Sequence, residues 1–208
     1  MTRTASAPPR IGTRERLLAA AEEAVVAKGF DATSIEELAA AVGITRAGFF
    51  YHFPDKTALA KALIDRHMEA ERALFDQLHG RACELSDDPL QQLLILFRLY
   101  ADFLQAMPDG YPGCILASAT YQDRLFDASV RAACCEAVLG WRGRFRPLLE
   151  QLCQTHPPRE PVDLDALADY LNTVIEGGII LSRALAQPHA IVGQILLARQ
   201  HLKLLFTP

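Results

Sequence analysis

Between Thr45 and Lys56 the chain reads TRAGFFYHFPDK, a run of groups suited to meeting a polyanion. Lys56 is well placed to donate to a phosphate oxygen, a contact that positions a protein on a duplex without reading its sequence, and Arg46 brings a second cation. Phe49 and Phe53 are four residues apart and fall on one helical face, so they should anchor the segment, leaving Arg46, Ala47, Tyr51 and His52 on the others. A glycine at position 48 costs about 1 kcal/mol relative to alanine inside a helix. A bare helix surface that can approach a duplex accounts for that cost, and so does relief of crowding beside Phe49. Lys56 opens the next helix, where free backbone amides also favour an anion.

Such a segment needs a helix in front of it to set its angle and a core behind it. The periodicity supplies both. Residues 13–29 carry Leu17, Leu18, Ala21, Val25 and Val26 on one face, with Gly29 as the stop. A second start falls at Thr33, with Glu36 three residues on at capping-box spacing. Val42-Gly43-Ile44 makes a turn whose glycine can take positive φ. Thr45 caps a short helix to about His52, Pro54 ends it, and Asp55 caps a long helix over 56–82. Two short helices joined by a glycine turn, with a third packed behind, make a helix-turn-helix.

Helical periodicity continues to the end, and no segment alternates as a strand would. Asp88-Pro89 opens a helix to about Ala106. After the loop 107–113 a short helix covers 114–121. A long one follows over 123–153, striped by Cys134, Val138, Trp141, Phe145, Leu148 and Leu152 and kinked at Pro147. The segment 156–161 reads as an exposed linker. Asp163 caps a helix to about 186, and a last helix runs over 189–206.

The run TSIEELAAAVGI (Thr33–Ile44), followed by FFYHFPDK (Phe49–Lys56), resembles the signature of the tetracycline-repressor (TetR) family over about residues 11–60. Beyond that the likeness lies in length, helicity and two long final helices. The resemblance implies an all-α protein of about nine helices: a three-helix helix-turn-helix DNA-binding domain at 11–60, with its motif at about 33–52, and a helical ligand-binding and dimerisation domain at 61–208. It also implies a homodimer on a palindromic operator, released by an effector. On the same motif Thr33, Tyr51, His52 and Lys56 correspond to phosphate contacts, and Arg46 and Ala47, with Gly48 alongside, to base-edge contacts. Two positions depart from the pattern: Phe50 stands where a tyrosine is usual, and the glycine usual at Ala47 has moved to Gly48.

The totals exclude other classes. Hydrophobic residues form 50% and charged residues 22%, the balance of a globular protein. No apolar run reaches membrane-spanning length. Residues 1–10 lack a signal-peptide core, which points to the cytoplasm. Residues 1–61 hold eight Lys/Arg against seven Asp/Glu and the remainder thirteen against eighteen, a mildly basic head on an acidic body. No phosphate loop, catalytic triad or metal cluster occurs, so neither enzyme activity nor a cofactor is expected. The five cysteines include no C-x-x-C pair, so reduced thiols are expected.

Three expectations concern the body. Phe97, Phe103, Cys114, Tyr121, Trp141 and Phe145 are the candidate lining of an effector pocket for an apolar or aromatic ligand, and would serve as ordinary core equally well. Cys114 follows a Pro-Gly loop at a helix start, where a thiol pKa can fall, so a thiol-based redox or electrophile sensor is the alternative reading. A helical small-molecule binder without DNA binding is the third. For assembly, Leu164, Leu167, Leu171, Val174, Gly178 and Ile179, with Ile191, Ile195, Ala198, Leu202 and Leu205, form apolar faces on the last two helices, suited to a four-helix dimer interface.

Overall fold

The computed structural model describes residues 12–207. Ile11, where the DNA-binding domain is expected to start, and the segment 1–10 read as lacking an export signal lie outside the described residues. The described residues form nine α-helices and no strand: α1 (Thr13–Lys28), α2 (Ile35–Val42), α3 (Arg46–His52), α4 (Lys56–Leu85), α5 (Pro89–Gln105), α6 (Ile115–Tyr121), α7 (Ala128–Thr155), α8 (Leu164–Ala184) and α9 (Ala190–Phe206). No helix among them is long and apolar enough to cross a membrane.

The ends of these helices are set by short polar side chains. Thr45, Asp55, Asp88 and Asp163 each accept from a backbone amide of the first turn, at 2.7–3.1 Å, the pairing that makes such caps worth about 1 kcal/mol. At α2 the capping residue is Ser34, which accepts from the Glu37 amide at 3.1 Å. The start expected at Thr33 is therefore displaced by one residue. Thr33 is buried and turns its hydroxyl back to donate to the Gly29 carbonyl at 2.8 Å, closing the frayed end of α1. Gly43 takes φ 74°, the left-handed conformation the turn between α2 and α3 requires.

The helix expected over 123–153 is divided. A 3-10 turn covers Asp123–Leu125, and α7 starts at Ala128 with Asp127 as its cap. The break follows from Phe126, which packs edge-on against Phe30 at 5.0 Å and pulls the chain into the core. From there α7 runs unbroken through Pro147. Its buried stripe changes from Val130, Cys134 and Ala137 to Phe145, Leu149 and Leu152, so Leu149 takes the core place expected of Leu148. The segment 156–161 is tied down at two points: His156 pairs with Asp88 at 2.5 Å, and the Arg159 amide donates to the Leu205 carbonyl at 2.8 Å.

Two apolar cores result, and the division between them does not fall at residue 60. The first joins α1–α3 to the opening turns of α4 (Leu59, Leu63, Ile64, Met68) and to Ile115, Phe126 and Val130 of the body. The second gathers α5, α8, α9 and the end of α7, with Phe75, Leu78 and Ala82 of α4. Helix α4 serves both.

The faces of α8 and α9 expected to pair two chains are occupied within one. Leu167, Leu171, Gly178 and Ile179 of α8, and Ile191, Ile195, Ala198 and Leu202 of α9, are buried in the second core. Gly178 permits this approach, since a Cβ there would lie 2.7 Å from Ile191 Cγ1 and 3.1 Å from its Cα. Replacing Gly178 by alanine should therefore destabilise the fold by about 1–3 kcal/mol, the usual cost of overpacking. Gly143→Ala, on an open helical surface, should instead gain up to about 1 kcal/mol. Chemical denaturation of the two variants checks the pair; equal effects would mean that α8 and α9 are not in close contact at Gly178.

Candidate nucleic-acid interface and effector cavity

Helix α3 is seated by its apolar side. Phe49 and Phe53 are buried, 5.8 Å apart between ring centroids. Ala47 and Tyr51 face solvent, Tyr51 being 85% exposed with His52 stacked edge-on at 5.1 Å. Arg46 is held loosely. Its guanidinium lies 3.0 Å from Glu36 Oε1 and 5.7 Å over the Phe50 ring, and both charged groups are well exposed. An exposed pair of this kind is worth about 0–1 kcal/mol, so it orients the arginine without locking it away. Phe50, half exposed and packed edge-on against Phe49, is thus a platform for Arg46 rather than a donor. At Gly48 a Cβ would meet Ile44 Cβ at 3.3 Å, so the turn crowds this position.

Lys56 stands at the first turn of α4, partly sheltered. Burial pulls its pKa down, and the nearby Asp31 opposes the shift. Arg16 donates to the Val42 carbonyl at 3.2 Å, and Lys28 pairs with Glu37 at 2.7 Å, tying α1 to both ends of α2. Thr33 does not share this surface. Its side chain is 1% exposed and its hydroxyl is committed to Gly29, so the phosphate contact expected of it is closed to that side chain.

The body encloses a cavity of about 240 Å³ between α4, α5, α6, α7 and α8. Five of the six residues named from sequence reach it: Phe97, Cys114, Tyr121, Trp141 and Phe145. Phe103 does not. Six residues beyond Phe97 is roughly 240° around a helix, and Phe103 instead lies 38% exposed, stacked on Tyr100 at 6.5 Å. The aromatic wall is Phe75, Trp141 and Phe145, mutually 5.5–6.0 Å apart.

The sequence reading missed one wall and the polar lining. Helix α4 contributes from His67 to Leu78, and His67, Glu71, Tyr100, Tyr111, Asn172 and Glu176 place polar atoms around an apolar interior. Tyr111 donates to Glu71 Oε1 at 2.6 Å. The available signal was Glu71, one turn from Met68, Leu74 and Phe75 on α4, and Glu176, one turn from Ile179 and Ile180 on α8.

Two ties join body and head. The Gln122 side-chain oxygen accepts from the Phe30 amide at 2.7 Å, and Arg183 donates to the carbonyls of Val26 at 2.9 Å and Pro112 at 3.1 Å. Both hold the end of α1.

A short, exposed, cation-bearing helix seated on a glycine turn, in front of an all-helical body, defines a helix-turn-helix DNA-binding protein. A family model described as bacterial regulatory proteins of the tetR family matches residues 17–63. The chain is 25% identical over 185 residues to an uncharacterized HTH-type transcriptional regulator in the lacX 3' region of Lactococcus lactis, covering 88% of this chain and 79% of that one. It is 26% identical over 174 residues to the HTH-type transcriptional regulator LmrA of Bacillus subtilis, covering 82% and 86%. A tetR-family transcriptional regulator from Agrobacterium tumefaciens superposes with a TM-score of 0.76 at 19% identity, over 94% of this chain and 98% of that one. The chain thus carries a head that matches the tetR-family DNA-binding model over residues 17–63, and it shares its all-helical fold with solved tetR-family regulators over most of its length.

The thiol-sensor alternative loses its physical basis. Cys114 does cap α6, its sulfur accepting from the Ala117 amide at 3.4 Å, but burial and the neighbouring Glu176 push its pKa up to about 12. Desolvation outweighs the helix terminus, and the thiol stays protonated. Cys134 and Cys153 are raised by burial as well. Iodoacetamide at about pH 8 should therefore label the exposed Cys83 and Cys135 well before Cys114, since the thiolate is the reacting form. Peptide mass spectrometry over a time course reads the order; early labelling of Cys114 would restore the sensor reading.

Proposed function

We propose that this regulator is a homodimeric, ligand-responsive repressor that holds a palindromic operator and is released from it by a small effector bound in the body. The observation that carries this reading is the continuity of α4. Its first residue, Lys56, adjoins the recognition segment, and its middle, from His67 to Leu78, forms a wall of the cavity. A ligand that favours a different tilt of α4 changes the placement of α3, and by linkage DNA weakens that ligand by the same factor. The aromatic walls suit an apolar or aromatic effector, with Phe97, Cys114, Tyr121, Trp141 and Phe145 in contact. A chromosome-binding protein of this kind acts in the cytoplasm. The head, from about residue 11 to 60, and the body, 61–208, are its two functional units.

In this reading Arg46 and Ala47, with Gly48 alongside, approach base edges, and Phe50 steadies Arg46. Tyr51, His52 and Lys56 meet phosphates. Arg46→Ala should cost about 1–3 kcal/mol of specific binding and relax base preference, whereas Lys56→Ala should weaken all sequences alike and flatten the salt dependence by about one unit. Gel shifts on randomised duplexes at several salt concentrations measure both. Unchanged preference after Arg46→Ala would remove α3 from the recognition role.

The dimer surface in this reading is the outer face of α8 and α9. Tyr170, Ile180, Leu197 and Leu204 are 37–58% exposed there, and Gly177 has open space above it. Apolar side chains at this spacing on two adjacent helices suit a two-fold four-helix contact, with recognition helices about 34–36 Å apart. Leu197→Asp should give a monomer by light scattering at micromolar concentration and lose operator affinity. A variant that stays dimeric would put the contact elsewhere.

A further inference from the structure

The polar groups of the cavity are unequal in sign. Glu71 and Glu176 enter from α4 and α8, and no lysine or arginine lines the space among the described residues. Glu71 receives the Tyr111 hydroxyl, a neutral donor. Glu176 lies near the Cys114 thiol and the His67 ring, and burial raises its pKa. His67 is itself buried, its Nε2 3.9 Å from the Cys114 sulfur. Even a protonated His67 offsets only one of the two carboxylates. The Tyr100 hydroxyl, which also lines the space, has no hydrogen-bond partner among the described residues. Burial and the charges of Glu71 and Glu176 push its pKa upward, so it remains a neutral donor and acceptor.

Two carboxyl groups facing an apolar cavity without a fixed cation are costly unless something positive joins them. A neutral ligand would deepen their desolvation, and an anion would add repulsion. A cation satisfies both carboxylates by charge-assisted hydrogen bonds and meets the ring faces of the lining. The volume of about 240 Å³ falls below the roughly 300–1,000 Å³ of drug-sized pockets, which suits one ring or a short chain. We propose that the effector is a small aromatic or alkyl amine bound as its ammonium ion, the nitrogen between Glu71 and Glu176 and the apolar part against Phe75, Trp141 and Phe145. This rests on the reading of the cavity as the effector site, and it goes beyond that reading by assigning the ligand's charge.

The test uses three probes of one skeleton and different charge: 4-phenylbutylamine, 4-phenylbutan-1-ol and 4-phenylbutyrate. Each is titrated into the full chain by calorimetry, with the fluorescence of Trp141, the sole tryptophan, marking occupancy of the cavity. The amine is expected to bind at least tenfold more tightly than the alcohol, and the carboxylate most weakly. Glu71→Gln and Glu176→Gln should each narrow the gap between amine and alcohol, by weakening the amine and relieving the desolvation that the alcohol meets, and an unchanged helical circular dichroism spectrum reports that the variants are folded. An alcohol or carboxylate that binds as well as the amine overturns the charge assignment and leaves the cavity as the effector site. An amine preference that survives both substitutions overturns the role of the two carboxylates. Absence of binding by all three overturns this inference together with the effector reading on which it rests.

Discussion

Helix α4 is thirty residues of unbroken backbone, roughly 45 Å at 1.5 Å per residue, and it is buried at one end among the head helices and at the other in the body. Because a helix is stiff over this length, neither end can tilt without the other. Leu59, Leu63 and Ile64 fix its start against α1 and α3, and Phe75, Leu78 and Ala82 fix its later turns against the second core. Arg66, paired with Glu15 and Glu22 of α1, clamps the junction from outside. The head is therefore positioned by the body through a lever rather than through a linker. This is the physical condition for a site in the body to matter to the DNA.

The remaining connections qualify that lever. Gln122 and Arg183 hold the C-terminal end of α1 with two hydrogen bonds to backbone groups, at Phe30 and Val26, and α6 places Ile115 and Ala119 in the head's own core. Each of these segments adjoins the cavity: Tyr121 precedes Gln122 in the chain, and Ile179 stands one turn from Arg183 on α8. The cavity therefore borders both polar ties between body and head. The hydrogen-bonded part of this grip is breakable at modest cost, whereas its apolar part, Ile115, Ala119 and Phe126, is buried.

The cavity departs from what stability alone would select. A body filled with leucine would bury more apolar area than one that leaves space beside two carboxyl groups and an unpartnered tyrosine hydroxyl. Local departures from good packing and full pairing concentrate where a protein does its work. The thiol at the same place shows how strongly burial governs this pocket: at the start of a helix, which lowers an exposed cysteine's pKa, burial and Glu176 push that of Cys114 up.

The sequence by itself determined the helices and the recognition segment. Caps, breakers and periodicity act over a few residues, so α1, α3, α4 and α9 begin and end within a residue or a few of where Gly29, Thr45, Asp55 and Pro188 put them, and Phe49 and Phe53 had to face inward. The aromatic lining was legible only in part, because periodicity names a face without naming its neighbour. The tertiary structure decided which face meets which. Packing of α8 on α9 consumed the stripe that looked free for a second chain, since an apolar face is the same signal whether its partner lies in the same chain or in another. It turned Thr33 inward to close α1, broke the 123–153 helix so that Phe126 could reach Phe30, and brought Glu71 and Glu176, 105 positions apart in the chain, to one cavity. Long-range pairing of that kind has no local pattern, and it is where the chemistry of the pocket was set.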